Sequence, residues 1–307
     1  MANLQGMFGE ASGETLFGLP PGRAGEGADI VVIGAGAATP YAIGPYCAAA
    51  PAAIRAASAA YGTTIGHVNF DLGGPVLPEG RRAVDAGDLP QDDDAAANRA
   101  RIEAAVRAVA GAGGVPVLIG GDDSVPLPMI AALDEGPLWI LQIDAHIDWR
   151  DEVEGERLGL SSTMRRASEM GHVAGIVQVG QRGIGSARAR DFTDAQGWGV
   201  TFVPGRELAA GGIARAIAAI PAGARVAVCF DCDAMDPAVI PAVIAPTAGG
   251  LTYWQLIELV SGVADKARIV AFDLVELMPE RDIDGRGALA AAQILATVIG
   301  LIARQPG

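Results

Sequence analysis

Cysteine is scarce in this chain. There are 3 in 307 residues, Cys47, Cys229 and Cys232, too few for a disulfide framework. The pair in "CFDC" has zinc-knuckle spacing. However, "VAVCFDCDAMD" reads as a strand, where positions three apart face opposite ways, and no second pair completes a sulfur site. Positive charge is also short. With 22 Lys+Arg against 36 Asp+Glu and a net charge of -14, nucleic acid and anionic membrane are poor partners, whereas cationic ligands and metal ions suit it. The opening "MANLQGMFGEASGETLFG" has no basic start followed by an apolar stretch and a cleavage site, so no signal peptide is expected. The longest oily run, "GALAAAQILATVIGLIA", is interrupted by Gln293, Thr297 and Gly300 and is short for a bilayer span; it reads as a buried terminal helix. A cytoplasmic, reducing location with no membrane partner is the expectation. No repeat, low-complexity linker or long charge run marks a seam, so residues 1-307 are read as one domain, with 1-27 as an extended N-terminal segment.

What is abundant is apolar: 50% of the residues, many of them alanine, enough for a sizeable core. Short apolar runs alternate with alanine-rich stretches. Strands are expected in "ADIVVIG", "HVNFDLGG", "VPVLIGG", "LWILQIDAH", "IVQVGQRG", "VTFVPG", "RVAVCFDCD" and "RIVAFDLVEL". Helices are expected around 51-60, 95-111, 125-134, 162-170, 187-196, 208-219, 253-264 and 286-303. This alternation implies an α/β fold with a mainly parallel sheet covered on both faces. Periodicity leaves open whether the sheet is doubly wound or a closed barrel, and both place a site at the C-terminal strand ends.

The unusual polar residues lie at those ends. "IGGDDS" follows the third strand, "IDAHID" closes the fourth, "FDCDAMDP" the seventh and "FDLVELMPERD" the eighth. On an extended chain, Asp144, His146 and Asp148 share one face. Asp231 and Asp233 do the same, with Asp236 in the following turn. Four carboxylates and an imidazole from two strand ends have the donor set for two divalent ions. Ions about 3.5–4 Å apart hold a hydroxide and lower its pKa towards neutrality. Mixed oxygen and nitrogen donors suit manganese, with nickel or zinc as alternatives, rather than calcium. A different signal, "VVIGAGAATP", places Gly34 and Gly36 after a strand like a dinucleotide loop. Thr39 replaces the third glycine there, and Pro40 disfavours helical geometry at Thr39.

Three ordered motifs, "GGDDS" at 120-124, "DAHID" at 144-148 and "FDCDAMDP" at 230-237, resemble the "GGDHS", "DAHxD" and "SxDxDxxDP" signatures of the ureohydrolases, the arginase and agmatinase family. "GPYCAAAPAAIR", "VDAGD", "GGLTY" and "DLVELMP" also have family counterparts, so the likeness spans nearly the whole chain. It implies a three-layer arginase-like fold, with an open eight-stranded, mainly parallel sheet between helices. It also implies hydrolysis of a C–N bond in a guanidino compound. By that likeness Asp144, His146, Asp148, Asp231 and Asp233 are metal ligands, and Glu276 recognises the guanidinium group, to which a bidentate carboxylate is suited. Glu276 and Asp148 are the candidate catalytic residues. Ala37, Thr39 and Tyr41 are expected to shape the substrate pocket.

Two departures from the pattern matter. The family's first ligand, the histidine of "GGDHS", is Asp123 here; a carboxylate is a competent donor but changes which metal fits. The proton-handling histidine of the family's "HGT" segment is missing, with Leu160 and Ser161 in its place. His67 and His172 are not placed to substitute. Both departures, and the two unlike subunits of metformin hydrolases, lead to the expectation of a partly degenerate subunit. Such a chain would support a complete sister chain in a trimer or hexamer acting on a biguanide or guanidino substrate (metformin-like, agmatine-like or guanidino acid). The alternative is a self-sufficient two-metal enzyme that uses Asp123 as a ligand.

Overall fold

Along β1 (Ile30–Ala35), Ile30 and Val32 enter one hydrophobic cluster while Val31 and Ile33 enter another. A strand buried on both faces this way needs helices above and below it. The computed structural model describes residues 13–306 and supplies them. The other strands are β2 (Ala83–Asp88), β3 (Val115–Gly120), β4 (Leu138–Ile143), β5 (Val173–Val179), β6 (Thr201–Val203), β7 (Arg225–Asp231) and β8 (Arg268–Val275). All pair in parallel, in one eight-stranded sheet of order β2-β1-β3-β8-β7-β4-β5-β6. The sheet is therefore open, and the architecture is the three-layer arrangement expected.

One layer is formed by α1 (Ala50–Ser58), α6 (Gly205–Ala209), α7 (Ile213–Ala219), α8 (Tyr253–Lys266) and α9 (Arg286–Ala303). The other contains α2 (Ala95–Gly111), α3 (Pro126–Ala131), α4 (Thr163–Ser168) and α5 (Ala189–Trp198). Local sequence explains several boundaries. Asp94 caps α2 by accepting from the Ala96 and Ala97 amides, Thr252 and Gln255 form a reciprocal capping box on α8, and Gly199 ends α5 in a left-handed conformation. Helix α9 is long and apolar enough to cross a membrane by composition alone, but it is 72% buried here and packs against α1 and α8. Cys229 and Cys232 fall in opposite clusters, which excludes a shared zinc.

Two sequence expectations need correction. Residues 67-74 are not a strand. Val68 and Phe70 are exposed, Asn69 accepts from the Asp71 amide at 2.8 Å in a side-chain turn, and Gly73 has φ +65°. The alternation of Val68, Phe70 and Leu72 imitates a strand, but the strand is Ala83–Asp88, with few apolar residues because it lies at the sheet edge. The helix expected over 208-219 is two helices, α6 and α7, separated at Gly211 with φ +99°.

An ion pair ties the edge strand to α1. Arg55 grips the fully buried Asp85 through Nε at 2.8 Å and Nη2 at 3.0 Å, and also bonds Asp88. Asp85 further accepts the Leu16 amide at 2.7 Å, while the Phe17 amide donates to Ser58 at 2.8 Å. Residues 16–18 are therefore packed against the core rather than extended; residues 1–12 lie outside the described part. Arg55→Ala would leave Asp85 buried without a counter-charge, and a loss of about 3–5 kcal/mol is expected in urea unfolding. A loss below about 1 kcal/mol would show that the pair is dispensable.

Candidate metal centre

The four central strands, β3, β8, β7 and β4, deliver the acids. Strand β7 lies beside β4, yet the chain leaves β7 towards β8 on one side and β4 towards β5 on the other, so neighbouring strands send their connections in opposite directions. Loops leaving the sheet there part and open a crevice at the C-terminal ends. A cavity of about 210 Å³ occupies it, lined among others by Tyr46, Asp123, His146, Asp148, Asp231, Asp233 and Glu276.

The candidate residues meet in this cavity, but not through strand alternation. Strand β4 stops at Ile143 and β7 at Asp231, so most of the acidic residues lie in tight turns. In the first turn the His146 amide donates to Asp144 Oδ1 at 2.6 Å, and Asp148 adopts a left-handed φ of +44°. In the second, the Asp233 amide donates to Asp231 Oδ1 at 2.6 Å within a 3-10 turn. Glu276 is also left-handed, at φ +65°. Non-glycine residues held in this region are strained and cluster at functional sites.

Potential ligand atoms within 4.8 Å of one another form two sets, Asp144 with His146 and Asp233, and Asp123 with Asp144 and Asp231. Asp144 belongs to both, as a carboxylate bridging two ions would. Asp123, the departure from the family pattern, therefore sits among potential ligands. Its Oδ2 is buried with no hydrogen-bond partner among the described residues, an arrangement that is costly unless a cation satisfies it. The residues thus fit a pair of divalent ions. Asp148 lies outside both sets. It shares the Gln142 side-chain amide with Asp144, at 2.6 and 2.7 Å.

Electrostatics agree with the geometry. Burial and then the charges of Asp148 and Asp144 raise Asp123 well above the ordinary carboxylate range; burial and Asp144 do the same for Asp148, and burial and Asp233 for Asp231, while burial and Asp144 raise Asp233. Burial acts against Asp144 and His146 as well, but here it is outweighed. Their mutual bond and charge hold Asp144 at about 2, and the two acids push His146 up to about 12. His146 Nδ1 is 2.9 Å from Asp233 Oδ2. One imidazolium cannot balance so many acids; positive charge in the cavity would.

Glu276 faces the same cavity. Tyr46 donates to both its oxygens at 2.9 Å, and the Asp123 amide donates to Oε1 at 2.9 Å. Burial, then the charge of Asp122, raise it to about 8. Tyr46 escaped the sequence reading, although "GPY" was there to be seen. Gln142 and Arg182 also escaped it: Arg182 donates to the carbonyls of Asp233 at 2.7 Å, Thr247 at 2.9 Å and Met235 at 3.1 Å, fixing the second acidic turn. Buried glutamine and loop arginine carry no signal without the fold.

Other candidates lie elsewhere. Leu160 and Ser161 line the cavity, with no second imidazole beside them. His67 is exposed, and His172 bonds the Ile130 carbonyl at 3.0 Å at the opposite end of the sheet. Ala37, Thr39 and Tyr41 line a neighbouring cleft rather than this cavity, and touch its wall through the Leu160 amide, which donates to Thr39 at 3.0 Å. Asp236 caps its own turn through the Ala238 amide. Gly34 and Gly36 serve close packing rather than phosphate: a Cβ on Gly34 would strike Asp88, and one on Gly36 the Ala48 carbonyl.

Beneath the centre, Asp273 is fully buried on β8, and neither oxygen has a hydrogen-bond partner among the described residues. Burial raises it to about 8, although the nearby Cys229 and the Phe230 amide work the other way. The unfolded chain ionises this group above its ordinary 3.8, while the folded chain keeps the proton until about 8. Asp273 thus lowers stability as pH rises through that window. In metal-free buffer, Asp273→Asn is expected to flatten the fall in urea stability between these values, and to be the more stable form at pH 8. An unchanged slope would show that Asp273 is ionised in the fold.

A profile of the arginase family matches residues 28–300. The chain belongs to the arginase family. It is 31% identical over 211 residues to human mitochondrial guanidino acid hydrolase, covering 64% of this chain but only 57% of that protein. It is 34% identical over 231 residues to guanidinopropionase of Pseudomonas aeruginosa, covering 72% of each. Among solved structures, proclavaminate amidino hydrolase from Streptomyces clavuligerus superposes with a TM-score of 0.80 at 28% identity, over 95% of this chain and 98% of that one. The arginase-family fold is that of metal-dependent ureohydrolases, and the acid-rich cluster lies where such a fold opens its crevice.

Proposed function

We propose that this chain hydrolyses a C–N bond of a guanidino compound, with two divalent ions held by Asp123, Asp144, His146, Asp231 and Asp233. The observation that carries this reading is the sharing of Asp144 by two ligand sets, one of which contains Asp123. Ions bound there supply positive charge that brings the pKa of water towards neutrality; manganese or nickel suits the oxygen-rich donor set. Glu276 binds the guanidinium, and Tyr46 holds its two oxygens in the plane a fork-shaped cation meets. Asp148, anchored by Gln142, is placed to accept a proton within the cavity.

This reading favours a self-sufficient enzyme. One observation favours the other, a supporting subunit beside a complete sister chain: Leu160 and Ser161 leave the wall without a proton-donating imidazole, an omission worth roughly 10²–10⁴ in rate. A cytoplasmic setting and a trimeric or hexameric assembly belong to the same proposal. The test is metal content per chain of the protein purified alone, after growth with manganese or nickel, measured beside turnover of guanidino substrates. About two ions per chain with turnover supports the self-sufficient enzyme. Turnover only after a partner chain is added supports the subunit, and absence of both metal and turnover under every condition overturns hydrolysis.

A further inference from the structure

Arg150 is the single arginine among the described residues lining the cavity. Its side chain is half-buried and makes no hydrogen bond or ion pair among the described residues, whereas Arg55, Arg166 and Arg188 are all paired with carboxylates. A half-buried guanidinium with no carboxylate beside it keeps its donors free for an incoming anion. This one is also fixed in place: two residues before it Asp148 takes its left-handed turn, and the Arg150 amide donates to the Ser161 carbonyl at 3.0 Å. The other charged wall residue, Asp191, is already engaged by Arg188 at 2.7 Å. The cavity therefore has a carboxylate end, where Glu276 awaits a cation, and a more exposed wall with a guanidinium awaiting an anion.

We infer that Arg150 selects the substrate's tail, and that the substrate class is an ω-guanidino carboxylate rather than a diamine-derived guanidine or a biguanide. The inference rests on the proposed function, because it assumes that the guanidino head is bound at Glu276. A carboxylate meets the Arg150 fork in a bidentate pair, while an ammonium tail meets like charge.

Calorimetric binding to the manganese-loaded full chain tests this without needing turnover. The probes are 4-guanidinobutyrate, butylguanidine, agmatine and pentanoate. The carboxylate of 4-guanidinobutyrate is expected to tighten binding ~10–100-fold over butylguanidine, with agmatine weakest. Arg150→Gln is expected to erase that step while leaving butylguanidine unchanged, and Arg150→Glu to reverse the preference towards agmatine. Equal binding of agmatine and 4-guanidinobutyrate overturns the inference, as does an Arg150→Gln variant that weakens butylguanidine equally or a chain that binds no 4-guanidinobutyrate. Pentanoate binding as tightly as 4-guanidinobutyrate instead overturns guanidino recognition, while the step attributed to Arg150 would still be read from the variants.

Discussion

Asp144→Asn is expected to empty both metal positions at once. Asp144 is common to the two ligand sets and lies 3.4 Å from His146 Nδ1, so losing its charge weakens each set. Removing one member of a buried charge set costs about 3–5 kcal/mol, which corresponds to an ion affinity lowered on the order of 10²–10⁴-fold. Turnover should fall with it. Asp233→Asn, which touches one set only, should retain about half the metal. Elemental analysis after dialysis against a weak chelator distinguishes the two variants. If Asp144→Asn retained as much metal as Asp233→Asn, the shared-ligand reading would be wrong.

Glu276→Gln is expected to spare the metal and damage substrate use. The carboxylate faces the cavity without a cationic partner among the described residues, held by Tyr46 and the Asp123 amide. Truncating one side of a buried charge pair costs about 2–5 kcal/mol, so kcat/KM should drop on the order of 10²–10³-fold. Metal content should stay at the unsubstituted level, which separates recognition from ion binding. A variant with normal kcat/KM on guanidino substrates would remove Glu276 from the site. Tyr46→Phe should show a weaker version of the same pattern, since it takes away one donor but leaves the charge.

Much of the site was legible because ligand chemistry is tied to side-chain type. Asp144, His146, Asp231 and Asp233 stand out as acids and an imidazole at the ends of apolar runs, and no packing argument explains them. Asp123 was legible as a departure; its place among ligands was not, because that depends on the path of the chain after β3, where Gly121 passes so close to the Ala37 carbonyl that no side chain fits. Tyr46, Gln142 and Arg182 were hidden for the opposite reason. Their types are common, and only the fold brings them to Glu276, Asp148 and the Asp233 turn. Strand β2 was misplaced because edge strands carry little apolar signal. "VDAGD" is held by Arg55, a contact between segments thirty residues apart, whereas the oilier 67-74 has no sheet to join.

The division of the cavity into parts from different sources has an evolutionary consequence. Its acids lie in the tight turns directly at the ends of adjacent central strands, while Arg150, Leu160, Ser161, Ser186, Ala187, Ile244 and Ala245 come from further along the connecting segments. Segments of that kind tolerate change far better than the ends of a packed sheet. Selection could therefore revise what such a protein accepts without disturbing the machinery beneath. Divergent relatives of this chain are expected to differ first in the lining contributed by their loops and last in their acids, so that a change of diet would leave the catalytic floor intact.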